Sequence, residues 1–197
     1  MSRTPLVTRE ARREDAPALA ELWADVVRRT DRSEQVADME LVVKQAAASP
    51  EQRLVVVDYD GELAGAVFLR LTTLSPINLE PCVQSVQPRV MPQLRRHGVG
   101  KALMEAATCF AEENGLLHIT TAVPTTSRDA NRFMARLGFG PVATVRLVPT
   151  SLARQRLSPP STNGLNNGLN KVLAARRSQR RAARASVGPV AFGELGD

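Results

Sequence analysis

Cysteine is almost absent from the 197-residue sequence, with Cys82 and Cys109 its only two thiols. They stand at no short metal-type spacing and have no histidine cluster beside them, the imidazoles being His97 and His118. This excludes a disulfide scaffold and a structural zinc site from the expectation, and no metal is expected. No stretch approaches the roughly 20 apolar residues that a membrane span requires. The N-terminal MSRTPLVTREARRED lacks the apolar core of a secretory signal, so the expected location is a reducing cytoplasm. Acidic residues are scarce in one region only. From Ser151 onward eight basic side chains face two acidic ones, which accounts for the whole net charge of +6, while the first 150 residues are neutral. Any argument from charge to an anionic partner therefore concerns the C-terminal segment alone.

Hydrophobic residues make up 43% of the chain, enough for one core of ordinary size. Val7 to Glu10 reads as a short strand. Asp15 as N-cap and Pro17 in the first turn then open a helix whose apolar face is Leu19, Leu22, Trp23, Val26 and Val27. A second helix is predicted over Ser33 to Ala48, with Met39, Val42, Val43 and Ala46 inward. Arg53 to Asp58, a hairpin turn at Tyr59-Asp60-Gly61-Glu62, and Leu63 to Leu71 read as two paired strands. After a loop from Thr72 to Pro81, Cys82 to Val90 is a third strand with an irregularity at Pro88, which cannot donate to a ladder. A strong helix follows over Lys101 to Asn114, then a strand over Leu116 to Val123, a short helix over Asp129 to Leu137 and a last strand over Phe139 to Val148. The predicted domain spans residues 1–157. Residues 158–170 are a Pro/Ser/Asn/Gly linker, and 171–197 a basic tail, partly helical or disordered.

The segment VMPQLRRHGVGK, Val90 to Lys101, sits between a strand and a helix. Its two glycines allow a tight turn with backbone N–H groups pointing one way. Those amides and the positive end of the helix dipole suit an anion, and Arg95, Arg96 and Lys101 add charge beside it. A diphosphate is the matching chemistry; the alternative is a turn that only connects two elements. The spacing of neither a Walker loop nor a Rossmann fingerprint is present.

This turn resembles the acyl-CoA pyrophosphate loop of the GNAT superfamily of acyl-CoA-dependent N-acyltransferases. The family pattern, Arg/Gln-x-x-Gly-x-Gly/Ala after a strand ending in V-x-P, is met by Arg95-Arg96-His97-Gly98-Val99-Gly100 behind Val90-Met91-Pro92. Its second mark, a short helix ending in F-Y-x-x-x-G-F, is met by Phe133 to Phe139 apart from the Tyr. The element order agrees too, over about Val7 to Val148. The resemblance implies an α/β (α+β) fold with a mixed, mostly antiparallel sheet flanked by helices. The strands ending at Val90 and starting at Leu116 would splay apart to hold acyl-CoA. It implies acetyl-CoA as co-substrate and direct transfer to an amine of a small molecule or protein. Cofactor-binding residues would be Val90, Arg95, Arg96, His97, Gly98, Val99, Gly100, Lys101, Ser127 and Phe133.

The proton-handling positions depart from the family. The Tyr that often protonates the leaving thiolate is Met134 here, and the strand position of a Glu base is Gln84. Ser127 stands where an Asn often bonds pantetheine. Glu80 and His118 are the substitute candidates for catalysis; the bland readings are a solvated loop carboxylate and a half-buried structural imidazole. Cys109 is a weaker candidate, expected to be buried in mid-helix. Trp23 reads as a core anchor, with the acceptor side as its other reading. The departures keep a second function open, a catalytically weak acyl-CoA-binding or sensor protein. On a helix Arg176, Arg177, Arg180, Arg181 and Arg184 form one stripe suited to nucleic-acid phosphates, with a solvated tail as the alternative. No membrane contact is expected, and a homodimer stays open.

Overall fold

In a computed structural model, which describes residues 6–157, Leu54, Val55, Val56 and Val57 are all buried at the centre of the sheet. They lie on β2 (Gln52–Tyr59) and alternate between two apolar clusters, one on each face. The sheet has five strands in chain order: β1 (Leu6–Glu10), β2, β3 (Glu62–Thr73), β4 (Pro81–Val90) and β5 (Ile119–Thr121). The first four are antiparallel neighbours, and β4 pairs with β5 in parallel. On one face α1 (Ala16–Leu22) and α2 (Arg32–Ala47) contribute Leu19, Val43 and Ala46 to a cluster with Leu54, Val56 and Ala66. On the other face α3 (Val99–Glu113) lays Leu103, Met104, Ala107 and Phe110 on Val55, Val57, Val67, Leu69 and Val83. Met134, from α4 (Arg128–Arg136), belongs to that second cluster. This is the mixed, mostly antiparallel sheet flanked by helices that the sequence implied.

The predicted hairpin turn forms with Asp60 (φ 54°) and Gly61 (φ 81°) both left-handed, as a two-residue turn joining twisted strands requires. The register of β2 on β3 slips by one residue past Val57, so that Ala64 and Gly65 both turn toward α3. Gly65 has no room for more: an added Cβ would lie 2.6 Å from the Arg89 carbonyl oxygen and 2.8 Å from Val99 Cγ1.

Several expectations are corrected. The first helix stops at Leu22, and the chain goes on as separate turns bonded to the Trp23 carbonyl, leaving Val26 exposed. Aspartate and two successive β-branched residues favour that exit. Asp15 is the N-cap residue of α1 with Pro17 in the first turn, as expected, but its backbone is already helical (φ −77°, ψ −15°) and its side chain makes no capping bond. Cys109 is exposed, because it lies off the apolar stripe of α3, between Thr108 and the exposed Glu112. β5 is shorter than predicted and exists only where β4 offers a ladder. Residues 139–148 form no strand, and Val142, Val145 and Leu147 are almost wholly exposed. Their alternation suits a strand, but a strand needs a ladder partner, and none pairs with them among the described residues.

The chain divides between Gly140 and Pro141 into two compact units, the second containing α5 (Thr150–Leu157), which sequence reading did not assign. The predicted linker, 158–170, and tail, 171–197, with the arginine stripe, lie outside the described residues. Among those residues no helix is long and apolar enough to cross a membrane.

Asp15 joins the start of α1 to the sheet. Arg9 Nη1 donates to Asp15 Oδ2 at 2.7 Å, and Arg9 Nε to Asp58 Oδ2 at 2.7 Å; the Arg12 N–H adds a third bond, to Asp15, at 2.6 Å. The Arg9 hydrogen bond holds the Asp15 carboxyl below its ordinary range, against the opposing effect of burial. A depressed folded-state value means stability that is present above the unfolded carboxyl range and lost as pH falls through the folded one. Asp15→Asn is expected to cost about 1–2 kcal/mol at pH 7. Urea denaturation at pH 7 and near pH 3 checks this, because the gap to wild type closes in acid.

Candidate active site

The site begins with a fault in β4. Phe68 of β3 faces Val86, but Ala66 faces Arg89, so Gln87 and Pro88 together oppose the single residue Val67. Gln87 takes a left-handed backbone (φ 48°), and Pro88 has no N–H to give. Two contacts from the end of α1 brace this bulge. Trp23 Nε1 donates to the Gln87 carbonyl at 2.9 Å, and Arg89 Nη2 meets Asp25 Oδ2 at 2.6 Å. Trp23, 5% exposed, is thus the expected core anchor with its polar atom spent on the strand.

β4 and β5 pair only from Val83↔Ile119 through Ser85↔Thr121. Beyond that rung residues 86–90 have no ladder to β5, which ends at Thr121. Val90 carries the chain to Met91, whose N–H is bonded to Ala64, then through a 3-10 turn at Pro92–Leu94 into the glycine turn.

In that turn Arg96 (φ 68°) and Gly98 (φ 90°) are both left-handed, on either side of His97. Gly98 is the N-cap of α3 and brings no capping side chain. The amides of Val99, Gly100 and Lys101 begin the helix without an intrahelical acceptor, the first return bond being from Ala102 to the Gly98 carbonyl at 3.0 Å. Arg95, Arg96 and Lys101 are exposed beside them and form no ion pair among the described residues. Val99 is buried under the turn. Three free amides at a helix start with three cations around them make a donor set suited to a diphosphate. A Cβ added at Gly100 would lie 3.4 Å from Phe133 Cζ and 3.8 Å from Val90 Cγ2. Sequence-predicted residues from β4, α3 and α4 therefore meet at one place, and glycine there leaves the backbone open.

The other candidates sit differently. Ser127 is the N-cap of α4 without a capping bond from its side chain; Asn131 Nδ2 instead ties the approach, donating to the carbonyls of Ser127 (2.7 Å) and Pro124 (2.9 Å). Met134 is buried. Gln84 Oε1 accepts from Arg70 Nε at 2.7 Å. Glu80 and His118 do come together, Oε1 to Nδ1 at 3.8 Å, each about half exposed. They stand before the β4–β5 ladder, at its closed end, and Glu80 is about 20 Å of strand from Val86. Sequence reading did not single out Ser85 and Thr121, whose hydroxyl oxygens are buried with no hydrogen-bond partner among the described residues, in the last rung of the β4–β5 ladder. A serine among buried valines of a strand was the available signal.

A family model described as Acetyltransferase (GNAT) family matches residues 17–139, and the chain belongs to that family. Solved structures share the fold. One is a transcriptional regulator from Bacillus halodurans, 21% identical, with a TM-score of 0.63 over 74% of this chain and 99% of that one. A second is an aminoglycoside N-acetyltransferase in complex with CoA, 15% identical, with a TM-score of 0.61 over 75% and 95%. A third is a ribosomal-protein-alanine N-acetyltransferase from Brucella melitensis biovar Abortus, 16% identical, with a TM-score of 0.55 over 74% and 99%. No curated protein sequence matches.

Trp23→Phe keeps most of the ring volume and leaves the Gln87 carbonyl without its donor. The expected cost is about 1–2 kcal/mol by chemical denaturation. Hydrogen exchange should rise at the amides of Arg89 and Val90 and not at those of Val83 and Ser85. Equal exchange at both ends of β4 would contradict the bracing role.

Proposed function

We propose that this protein is an acetyl-CoA-dependent N-acetyltransferase, acting in the cytoplasm, that moves an acetyl group directly to an amine of a small molecule or a protein. The observation that supports the reading is the glycine turn at the start of α3, with helix-start amides that have no intrahelical acceptor and three cations beside them, past the point where the β4–β5 ladder ends. Amides of Arg96, Gly98 and Gly100 would hold the pyrophosphate, with Arg95, His97, Val99 and Lys101 completing the turn. The Val90 main chain and the Ser127 hydroxyl would bond the pantetheine arm, and Phe133 would line its entrance. Acetyl-CoA supplies the acyl group as a thioester. The chain's share is proximity and polarisation of the carbonyl while the amine nitrogen forms its bond to carbon and the C–S bond breaks. The proton leaves the nitrogen and ends on the sulphur. Met134 cannot carry it, and Glu80 and His118 would act on it only through a chain of water.

A second reading is favoured by two observations: Met134 is buried in the apolar cluster, and Gln84 is held by Arg70. It is a binding protein that senses or stores acyl-CoA with little turnover. Release of free thiol from acetyl-CoA, measured over a panel of amines and proteins beside calorimetric CoA binding, separates the two. Acceptor-dependent release supports the transferase, and tight binding without release supports the sensor. Gly98→Asp places a carboxylate at the anion site and is expected to abolish CoA binding. Unchanged affinity would sink the cofactor assignment.

The arginine stripe at Arg176, Arg177, Arg180, Arg181 and Arg184 would tether either version to nucleic acid, in a salt-dependent and sequence-independent manner. Deleting residues 171–197 is expected to remove retention on nucleic acid at low salt. Equal retention of the shortened chain would refute the tether.

A further inference from the structure

The glycine turn holds two left-handed residues, and one of them, Arg96, has a side chain that disfavours that backbone. Something outside the turn must keep it in shape. The His97 ring lies against Tyr59, the chain's only tyrosine, with centroids 4.9 Å apart and planes at 57°. His97 Nδ1 is 2.9 Å from the Arg95 carbonyl oxygen, which only accepts, so Nδ1 carries the hydrogen. The imidazole is thereby fixed at two points, one inside the turn and one on the sheet. Tyr59 ends β2, and its register partner on β1 is Leu6. Leu6 Cδ1 lies 3.4 Å from where a Cβ of Gly98 would be. A single rung of the sheet thus meets the turn at two consecutive residues, His97 and its left-handed glycine, Gly98.

We infer that Tyr59 is a positioning residue for the anion-binding turn, acting through His97 to hold the amides of α3 in their binding geometry. This rests on the reading of the turn as the acyl-CoA site. Tyr59 touches no ligand in this role; its ring supplies a tilted aromatic contact, and its hydroxyl is dispensable.

The test is calorimetric CoA binding by the full chain and by Tyr59→Ala, Tyr59→Phe, His97→Ala and the double alanine variant, with steady-state kinetics alongside. Tyr59→Ala is expected to weaken binding about 3- to 10-fold, the range for one aromatic pair. His97→Ala should do the same, and the double variant should be no weaker than either single one. Tyr59→Phe should bind like wild type. The loss should appear in KM for acetyl-CoA and not in kcat. Wild-type affinity in Tyr59→Ala, or additive losses in the double variant, would overturn the inference. If Tyr59→Ala does not fold, wild-type affinity in His97→Ala, whose side chain is exposed, overturns it equally. A wild-type chain that fails to bind CoA defeats the functional reading as well. Binding that Gly98→Asp abolishes and Tyr59→Ala leaves intact defeats this inference alone.

Discussion

One hydrogen bond, from the Trp23 indole to the Gln87 carbonyl, sits where the geometry of the site is decided. The extra residue at Gln87 and Pro88 interrupts the ladder of β4 with β3, and such a bulge is stable only where its displaced carbonyl finds a donor. α1 supplies that donor, and Asp25 adds an ion pair to Arg89 one step further on. Contacts from the end of a helix on one face of the sheet thereby hold the strand that leads into the glycine turn.

The glycine turn is built on the same logic of displaced backbone. Its usefulness lies in amides that have no partner, and such amides are costly to maintain unless the chain around them is held. Gly65 lets α3 approach β3 closely, Val99 is driven into the cluster beneath, and Phe133 closes over Gly100. Positive charge at Arg95, Arg96 and Lys101 is exposed and screened, so it aids encounter more than it fixes position. Position comes from packing.

What could be read in the sequence was whatever is local. Glycine spacing, the apolar run from Leu54 to Val57, and Pro88 in mid-strand each act over a few residues, and each keeps its meaning in the structure. Pairings between distant residues were not legible. Nothing near Trp23 announces Gln87, and nothing near Tyr59 announces His97. The same limit explains the misreadings. Residues 139–148 have the alternation of a strand, but alternation says nothing about a neighbour to pair with. The meeting of Glu80 with His118 was likewise out of reach, since it depends on strand register. The glycine turn stands out in the sequence because one loop and the start of one helix hold most of its residues, whereas the candidates for proton handling are spread over several strands.

Strand order has a consequence in time. Since β1 to β4 each neighbour the strand before them, most of the sheet can assemble by adding the next piece of chain to an existing edge. Only β5 must wait for a helix to cross over, and such non-local pairing is the slow step in sheet formation. During synthesis from the N-terminus the meander would already be folded while β5 and α4 are still emerging. The parallel rungs of β4 with β5 are then the last part of the sheet to form, added to an edge that is already in place.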